Sequence, residues 1–332
     1  MKLRKTIPIR IGIDLMGSDT APEDLYRAIL QLLQDDFPAE IVFFASEEIS
    51  GEFDASLSIV KCSQVIQMED DPVMAVRRKK DSSLCQGLKH LKEEKIDAFV
   101  SAGNTGALLL AAKTTLKALK GIGRPALLAL LPTKKKEVAV LDVGANLSIK
   151  SEHIVQFAAM GIAYQKSRGI ENPTVGLLNI GTEAKKGTPQ LQEAYLKLDA
   201  MNRDGQVFAG NIEGKDVFHG DIDVLVTDGF TGNVFLKTAE GIAAFILEQL
   251  ETSSREGSFS HLTHELATLR SRMHYAEYPG AILCGVNGVV VKCHGDSSPE
   301  TFIHGIKGAL RLVQHGFLEK IKAQLVSSLQ IS

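Results

Sequence analysis

The stretch DVLVTDGFTGNVFLKTAEG, Asp223–Gly241, decides the fold. It opens as a short apolar strand, stops at Thr227-Asp228-Gly229, loops through Phe230-Thr231-Gly232-Asn233, and continues as an apolar helix. A strand that turns directly into a helix is the repeating unit of an α/β sheet. In open sheets of that kind the strand's carboxyl end and the helix N-terminus face the crevice where ligands bind. Asp228, Thr231 and Asn233 gather at that junction, so the stretch marks a candidate site as well as a fold.

The same alternation runs outward in both directions. IPIRIGID, EIVFFA, SLSIVKC, DAFVSAG, ALLALLP, VAVLDVG, TVGLLNIG and QVFAG read as strands. Helical segments lie between many of them. One starts near Ala21-Pro22-Glu23, where proline and acid suit a first turn. Another carries Leu84, Leu88 and Leu91 on one face behind a cap at Ser82 or Ser83. Two more are NTGALLLAAKTTLKAL and the segment from about Ser151 to Lys166. This pattern predicts a three-layer αβα architecture with a largely parallel sheet covered on both faces, as one domain over residues 1–332. After Glu251 the chain turns polar, with Leu262, Leu266 and Leu269 on one face, and a helical excursion is expected over residues 251–279. AILCGVNGVVVKCHG then returns to strands through an expected Asn287-Gly288 hairpin turn.

Of the 332 residues, 44% are hydrophobic and 23% charged, the balance of an ordinary globular protein. A formal net charge of −3 argues against nucleic acid as the main partner. The basic N-terminus, MKLRKTIPIRIGIDLMG, has an apolar part too short for a signal peptide, and no run approaches the roughly 18 apolar residues of a membrane span. Cys62, Cys85, Cys284 and Cys293 lack C-x-x-C or metal-ligand spacing, so reduced thiols in a cytoplasmic protein are expected, with no metal and no cofactor.

Four strand ends share one grammar: SAGNTGA at Ser101–Ala107, DVGAN at Asp142–Asn146, NIGTEAKKG at Asn179–Gly187 and TDGFTGN at Thr227–Asn233. Glycines there let backbone amides approach a ligand, Asn and Thr add neutral donors, and Lys185 and Lys186 add positive charge. That inventory suits a small oxyanion held at helix N-termini. Taken singly, each motif is also an ordinary helix cap. The chain has no G-x-G-x-x-G after its first strand, no P-loop, no G-x-S-x-G elbow and no H-E-x-x-H. His153 and His219 read as capping or packed residues before they read as bases. VRRKKDSS, Val76–Ser83, and PTKKKEV, Pro132–Val138, are solvated charge runs or landing sites for an acidic partner.

DLMGSDTAPE, DPVMAVRRKKDSSL, SAGNTGALLLAA, LDVGANLSIKSEHIVQFAAMG, VGLLNIGTEAKKG and VTDGFTGNVFLKTAEG together resemble the bacterial phosphate acyltransferases of phospholipid synthesis, the PlsX family. The matches run in order from about Ile11 to Gly241, with weaker similarity at MHYAEYPGA and VVVKCHG. The resemblance implies a sheet related to those of phosphotransacetylases and isocitrate-dehydrogenase-like proteins. It implies a cytoplasmic homodimer, peripheral at the inner membrane face, that makes acyl phosphate reversibly from long-chain acyl-acyl carrier protein and inorganic phosphate. The product would pass to a membrane glycerol-3-phosphate acyltransferase. Three positions depart from the family pattern: Ser18 stands where a second glycine is usual, and Ser148 and Ser151 where an acid and a proline are usual. If residue 18 needs a positive φ, Ser18 is strained; Ser151 remains able to cap its helix.

Phosphate attacking a thioester needs no catalytic triad, only a held nucleophile and donors for the oxyanion. The expected phosphate pocket comprises Asn104, Thr105, Gly106, Asn146, Asn179, Gly181, Thr182, Lys186, Gly229 and Thr231. Lys185 is assigned to charge or oxyanion stabilisation, Asp228 to a phosphate proton or lysine orientation, and Asn233 to the oxyanion. Arg77, Arg78, Lys79 and Lys80, then Arg270 and Arg272, form the expected docking surface for the acidic carrier. An acyl-coenzyme A phosphotransacetylase is the nearer alternative, and a non-catalytic carrier-binding scaffold the further one. A nicotinamide oxidoreductase on the same sheet lacks its dinucleotide loop and metal cluster here.

Overall fold

The computed structural model describes residues 8–50, 54, 57–204, 207–255 and 280–329. They divide into two compact units, the first drawn from Met1–Pro125 and Pro279–Leu329, the second from Ala126–Tyr278. The chain opens the first unit with β1 (Arg10–Asp14), α1 (Pro22–Gln34), β2 (Glu40–Ser46), α2 (Glu47–Ser50), β3 (Ser58–Cys62), α3 (Pro72–Arg78), α4 (Ser83–Lys92), β4 (Ala98–Ser101) and α5 (Thr105–Thr115). The second unit holds β5 (Ala126–Pro132), β6 (Glu137–Leu141), α6 (Ser151–Ser167), β7 (Thr174–Asn179), α7 (Pro189–Ala200), β8 (Val207–Glu213), β9 (Val224–Val226) and α8 (Gly229–Arg255). The first unit is completed by β10 (Ala281–Cys284), β11 (Val289–Lys292), α9 (Pro299–Gln314) and α10 (Phe317–Leu329).

The first unit's strands run in the order β3-β2-β1-β4-β11-β10, parallel except for the β10–β11 pair. Helix α4 packs on β1, β2, β3 and β4, and α9 on β11, β4 and β1. Gly87 makes the first contact possible, since a Cβ there would lie 1.9 Å from the Phe99 ring. Ser82 caps α4 by accepting the Cys85 N–H at 3.3 Å, and Ser83 is buried one residue inside. The hairpin between β10 and β11 is present, but its left-handed residue is Gly285, at φ +88°, and not Gly288. The reason is tertiary: the loop is drawn onto a neighbouring segment, with Asn287 N–H donating to Lys117 O and Leu119 N–H to Gly285 O.

In the second unit the order is β5-β6-β9-β7-β8. Strands β6, β9, β7 and β8 are parallel, while β5 and β6 form an antiparallel hairpin. PTKKKEV is that hairpin's turn, with Lys135 paired to Asp221 and Lys136 to Asp223. Helix α6 packs on β6, β7 and β9, and Gly161 sits where a Cβ would meet Val224 at 2.4 Å. Ser151 is the first residue of α6 and not its cap; its hydroxyl instead accepts from Lys197 Nζ at 3.0 Å. His153 is a capping residue, its Nδ1 accepting the Lys150 N–H at 3.0 Å. The first five residues of the expected excursion, 251–255, continue α8, and residues 256–279, with Arg270 and Arg272, lie outside the described residues. No described helix is long and apolar enough to cross a membrane. Among the described residues no cluster of three or more His, Cys, Asp or Glu could hold a metal ion, and none of the four cysteines forms a disulfide.

Asp14 ties three strand ends of the first unit together. Only 2% exposed, it accepts the Met16 N–H at 3.1 Å and the Ser101 hydroxyl at 2.8 Å. Ser101 in turn accepts the Gly103 N–H at 3.1 Å. The nearby cation is Lys292, itself buried, which donates to the Ala102 carbonyl at 3.2 Å and to that of Cys293. Gly17 takes the left-handed turn that follows, at φ +73°, so Ser18 carries no such strain, and its hydroxyl donates to Thr20 O at 3.0 Å. Burial raises the Asp14 carboxyl from 3.8 to about 6, against the lowering effect of its hydrogen bonds and Lys292. The folded state therefore holds this proton more tightly than the unfolded chain. Its contribution is fully present below the unfolded value and is lost as pH rises through about 6. Urea unfolding should show the wild type gaining about 1 kcal/mol between about pH 7 and pH 5 relative to Asp14→Asn. Parallel pH profiles for the two proteins would contradict this.

Candidate active site

The parallel run β6-β9-β7 brings three of the four predicted motifs to one edge of the second unit: DVGAN after β6, TDGFTGN after β9 and NIGTEAKKG after β7. The fourth, SAGNTGA, follows β4 at the edge of the first unit.

Asp142 organises the first loop. It is fully buried, and its Oδ1 accepts the N–H groups of Leu127 at 3.0 Å, Gly144 at 3.2 Å and Ala145 at 3.0 Å. Its Oδ2 accepts from Asn146 Nδ2 at 2.8 Å. Burial pushes its carboxyl above the usual carboxylate range while these hydrogen bonds pull the other way. The sequence reading passed over Asp142 as a site residue. Its signal was present, an acid ending an apolar strand just before a glycine loop.

Helix α8 begins directly against that loop. Gly229 N–H donates to Asn146 O at 2.9 Å, and a Cβ on Gly229 would lie 2.6 Å from that oxygen and 2.8 Å from Asp142 Oδ2. A Cβ on Gly232 would lie 1.9 Å from the Asp142 carbonyl oxygen. Both glycines are thus required by close approach. Asp228 caps the helix, its two oxygens accepting the Thr231 N–H at 2.9 Å and hydroxyl at 2.7 Å. Thr231 and Asn233 are exposed on the first turn. The outcome is a helix of 27 residues whose positive end opens on the strand edge beside Asn146.

The third loop is held from behind. Asn179 Nδ2 donates to Lys186 O and to Asn211 Oδ1, each at 3.1 Å, while Asn211 Nδ2 donates to Glu183 O at 2.8 Å. Both asparagines are buried, so they shape the loop. Asn211, on β8, was missed by the sequence reading. Gly181 is buried, Gly187 takes φ +83°, and Thr182, Lys185 and Lys186 are exposed. Lys186 lies 3.9 Å from Glu183, whereas Lys185 has no ion-pair partner among the described residues.

In the first unit, Asn104 caps α5 through the Ala107 N–H at 3.0 Å and donates to Met68 O at 2.8 Å, Asp70 O at 3.1 Å and Gln67 O at 3.3 Å. Its amide is occupied in strapping the 67–70 loop. Gly106 admits Pro72 of α3, which a Cβ would meet at 2.6 Å, and Thr105 is partly exposed beside it. Of the basic cluster, Lys79 is held by Asp70 and Val65 O. Arg77, Arg78 and Lys80 are exposed, without ion-pair partners among the described residues. His219 is half-exposed, 3.8 Å from Asp216.

The model of the family described as fatty acid synthesis protein matches residues 9–320. A phosphate acyltransferase of Chlamydia pneumoniae is 41% identical over 96% of this chain and 99% of its own length. One of Thermotoga maritima is 42% identical over 95% of this chain and 96% of its own. This chain belongs to that family. It is accordingly an enzyme of the acyltransferase class. The fold is shared more widely: a phosphotransacetylase structure from Streptococcus pyogenes superimposes with a TM-score of 0.59 at 17% identity, over 93% of this chain and 94% of that one.

For an acyltransferase, this edge supplies a helix start, backbone brought close by glycines, and a lysine with no ion-pair partner among the described residues. Gly229→Ala should separate α8 from the Asp142 loop, lowering stability by about 1–3 kcal/mol in urea unfolding and lowering turnover with it. A variant with wild-type midpoint and turnover would show that the close approach is dispensable.

Proposed function

We propose that the enzyme forms acyl phosphate from inorganic phosphate and a long-chain acyl-acyl carrier protein by direct displacement. The observation that carries this reading is the edge of the second unit in a phosphate acyltransferase relative. Lys185, without an ion-pair partner among the described residues, the capped start of α8 and the Asn146 loop stand there on adjacent strand ends. In the proposed step a phosphate oxygen attacks the thioester carbonyl carbon, the C–S bond breaks, and the thiolate leaves with the carrier and takes up a proton. Phosphate is anionic already and the thiolate is a good leaving group, so positioning and charge stabilisation are what the protein must supply.

Lys185, with Lys186 behind it, balances the phosphate charge. Thr182 and the amides around Gly181 donate to its oxygens, and the positive end of α8 attracts them while the Thr231 N–H and hydroxyl stay on Asp228. Asp228 takes the hydrogen bond of its remaining proton, and Asn233 donates to the oxyanion. Asn146 and Asn179 act by holding their loops. Arg77, Arg78 and Lys80, beside Val73 at 58% exposure and the exposed Met74, suit an acidic carrier that presents an apolar spot. Acyl phosphates are reactive, which favours placing the enzyme, a homodimer by its family resemblance, at the inner membrane surface, where a glycerol-3-phosphate acyltransferase consumes the product. The phosphotransacetylase fold keeps acyl-coenzyme A as the second reading for the donor.

The test is to incubate the purified protein with long-chain acyl carrier protein and labelled phosphate. A hydroxylamine-sensitive labelled product is expected, absent with acyl-coenzyme A, at a rate that falls with added salt. Lys185→Ala should lose about a hundredfold in turnover with an unchanged unfolding midpoint. No product from the carrier thioester, or equal product from coenzyme A, would overturn the assignment of the donor.

A further inference from the structure

Each of the three strand-end loops that carries the polar groups also exposes one large apolar side chain. Leu147, directly after Asn146, is 75% exposed; Ile180, directly after Asn179, is 80% exposed; Phe230, directly after Gly229, is 62% exposed. Val234, one turn further along α8, is 51% exposed. These are not loosely placed. Leu147 follows an asparagine bonded to Asp142, the Ile180 N–H donates to Asn179 Oδ1 at 2.9 Å, and Phe230 follows the glycine whose N–H is bonded to Asn146 O. Scattered surface hydrophobes need no explanation, but side chains held in water on adjacent strand ends mark a surface that something covers.

The chemistry of the edge says what kind of molecule fits. The same loops present Lys185, Thr182, Thr231 and the start of α8, groups that favour an anion. A ligand matched to both sets has an anionic head and an apolar chain joined to it. We infer that Leu147, Ile180 and Phe230 contact the proximal methylenes of the acyl chain, making this edge a site for the whole acyl phosphate and not for its phosphate alone. The inference rests on the proposed reaction and adds residues that set its chain-length preference. Covering two or three methylenes, at about 0.8 kcal/mol each, corresponds to a gain of about fifteen- to sixtyfold for long chains over an acetyl group.

Two measurements test it. The first compares kcat/KM for carrier thioesters of increasing chain length in the wild type and in Leu147→Ser, Ile180→Ser and Phe230→Ser. All three substitutions lie on the surface, where the fold should tolerate them. The wild type should favour long chains, and each variant should lose about two- to fourfold with long chains while keeping its acetyl rate. A uniform loss at every length, or an unchanged profile, would overturn the inference. If instead no variant and no wild-type protein makes acyl phosphate from any donor, the proposed reaction fails, which is a separate result.

The second measurement does not depend on turnover. The chain contains no tryptophan, so Phe230→Trp places a single reporter on this edge. Its emission should shift to the blue with dodecylphosphonate and stay unchanged with methylphosphonate. A shift that follows protein concentration alone would assign the face to a second copy of the chain. One produced by phosphatidylcholine vesicles but not by dodecylphosphonate would assign it to a lipid surface. Either result would overturn the inference.

Discussion

The buried carboxylate of Asp142 is the constraint on which the rest of the second unit's edge depends. An ionisable group with no exposure is costly unless its hydrogen-bonding capacity is filled. Here it is filled by the Leu127 N–H from β5 and, within its own loop, by the N–H groups of Gly144 and Ala145 and the side-chain amide of Asn146. That satisfaction curls the Asp142–Asn146 loop into one shape. The shape leaves room for a helix to begin directly against it, provided the helix has no side chain at positions 229 and 232. The start of α8 is thus placed by packing, with its Gly229 N–H on Asn146 O and its Thr231 N–H on Asp228, and its positive end faces the strand edge as a consequence of the fold.

Read along the chain, the asparagines of the strand-end motifs look like ligand donors. In the folded protein most of them work one step back. Asn104 straps the 67–70 loop, Asn146 satisfies Asp142, and Asn179 with Asn211 closes the 180–187 loop. The groups left facing outward are hydroxyls, lysines, backbone amides and three apolar side chains. This division suits catalysis, because a donor fixed by its own packing needs no reorganisation when charge develops on the substrate.

Much of the architecture was legible because period and punctuation are local properties. The strand-helix alternation, a cap at Ser82 or Ser83 and the parallel edge carrying DVGAN, NIGTEAKKG and TDGFTGN follow from neighbours in sequence. What could not be read was set by distant contacts. Which glycine takes the left-handed turn at 17–18 or 285–288 depends on what the loop packs against. Lys79 looked like part of a free basic cluster until Asp70 was found beside it, and Ser151 looked like a cap until Lys197 met its hydroxyl. Asn211 sits within an apolar strand, and its meaning appears only once β7 and β8 pair.

The proposed reaction requires this edge to hold inorganic phosphate through Lys185 and the start of α8. Phosphorus NMR of inorganic phosphate titrated with the protein tests it most directly. Saturable broadening is predicted for the wild type, with affinity weakened about tenfold in Lys185→Ala, as loss of a charge-assisted hydrogen bond implies. Equal broadening in the two proteins would place the phosphate elsewhere and contradict the account.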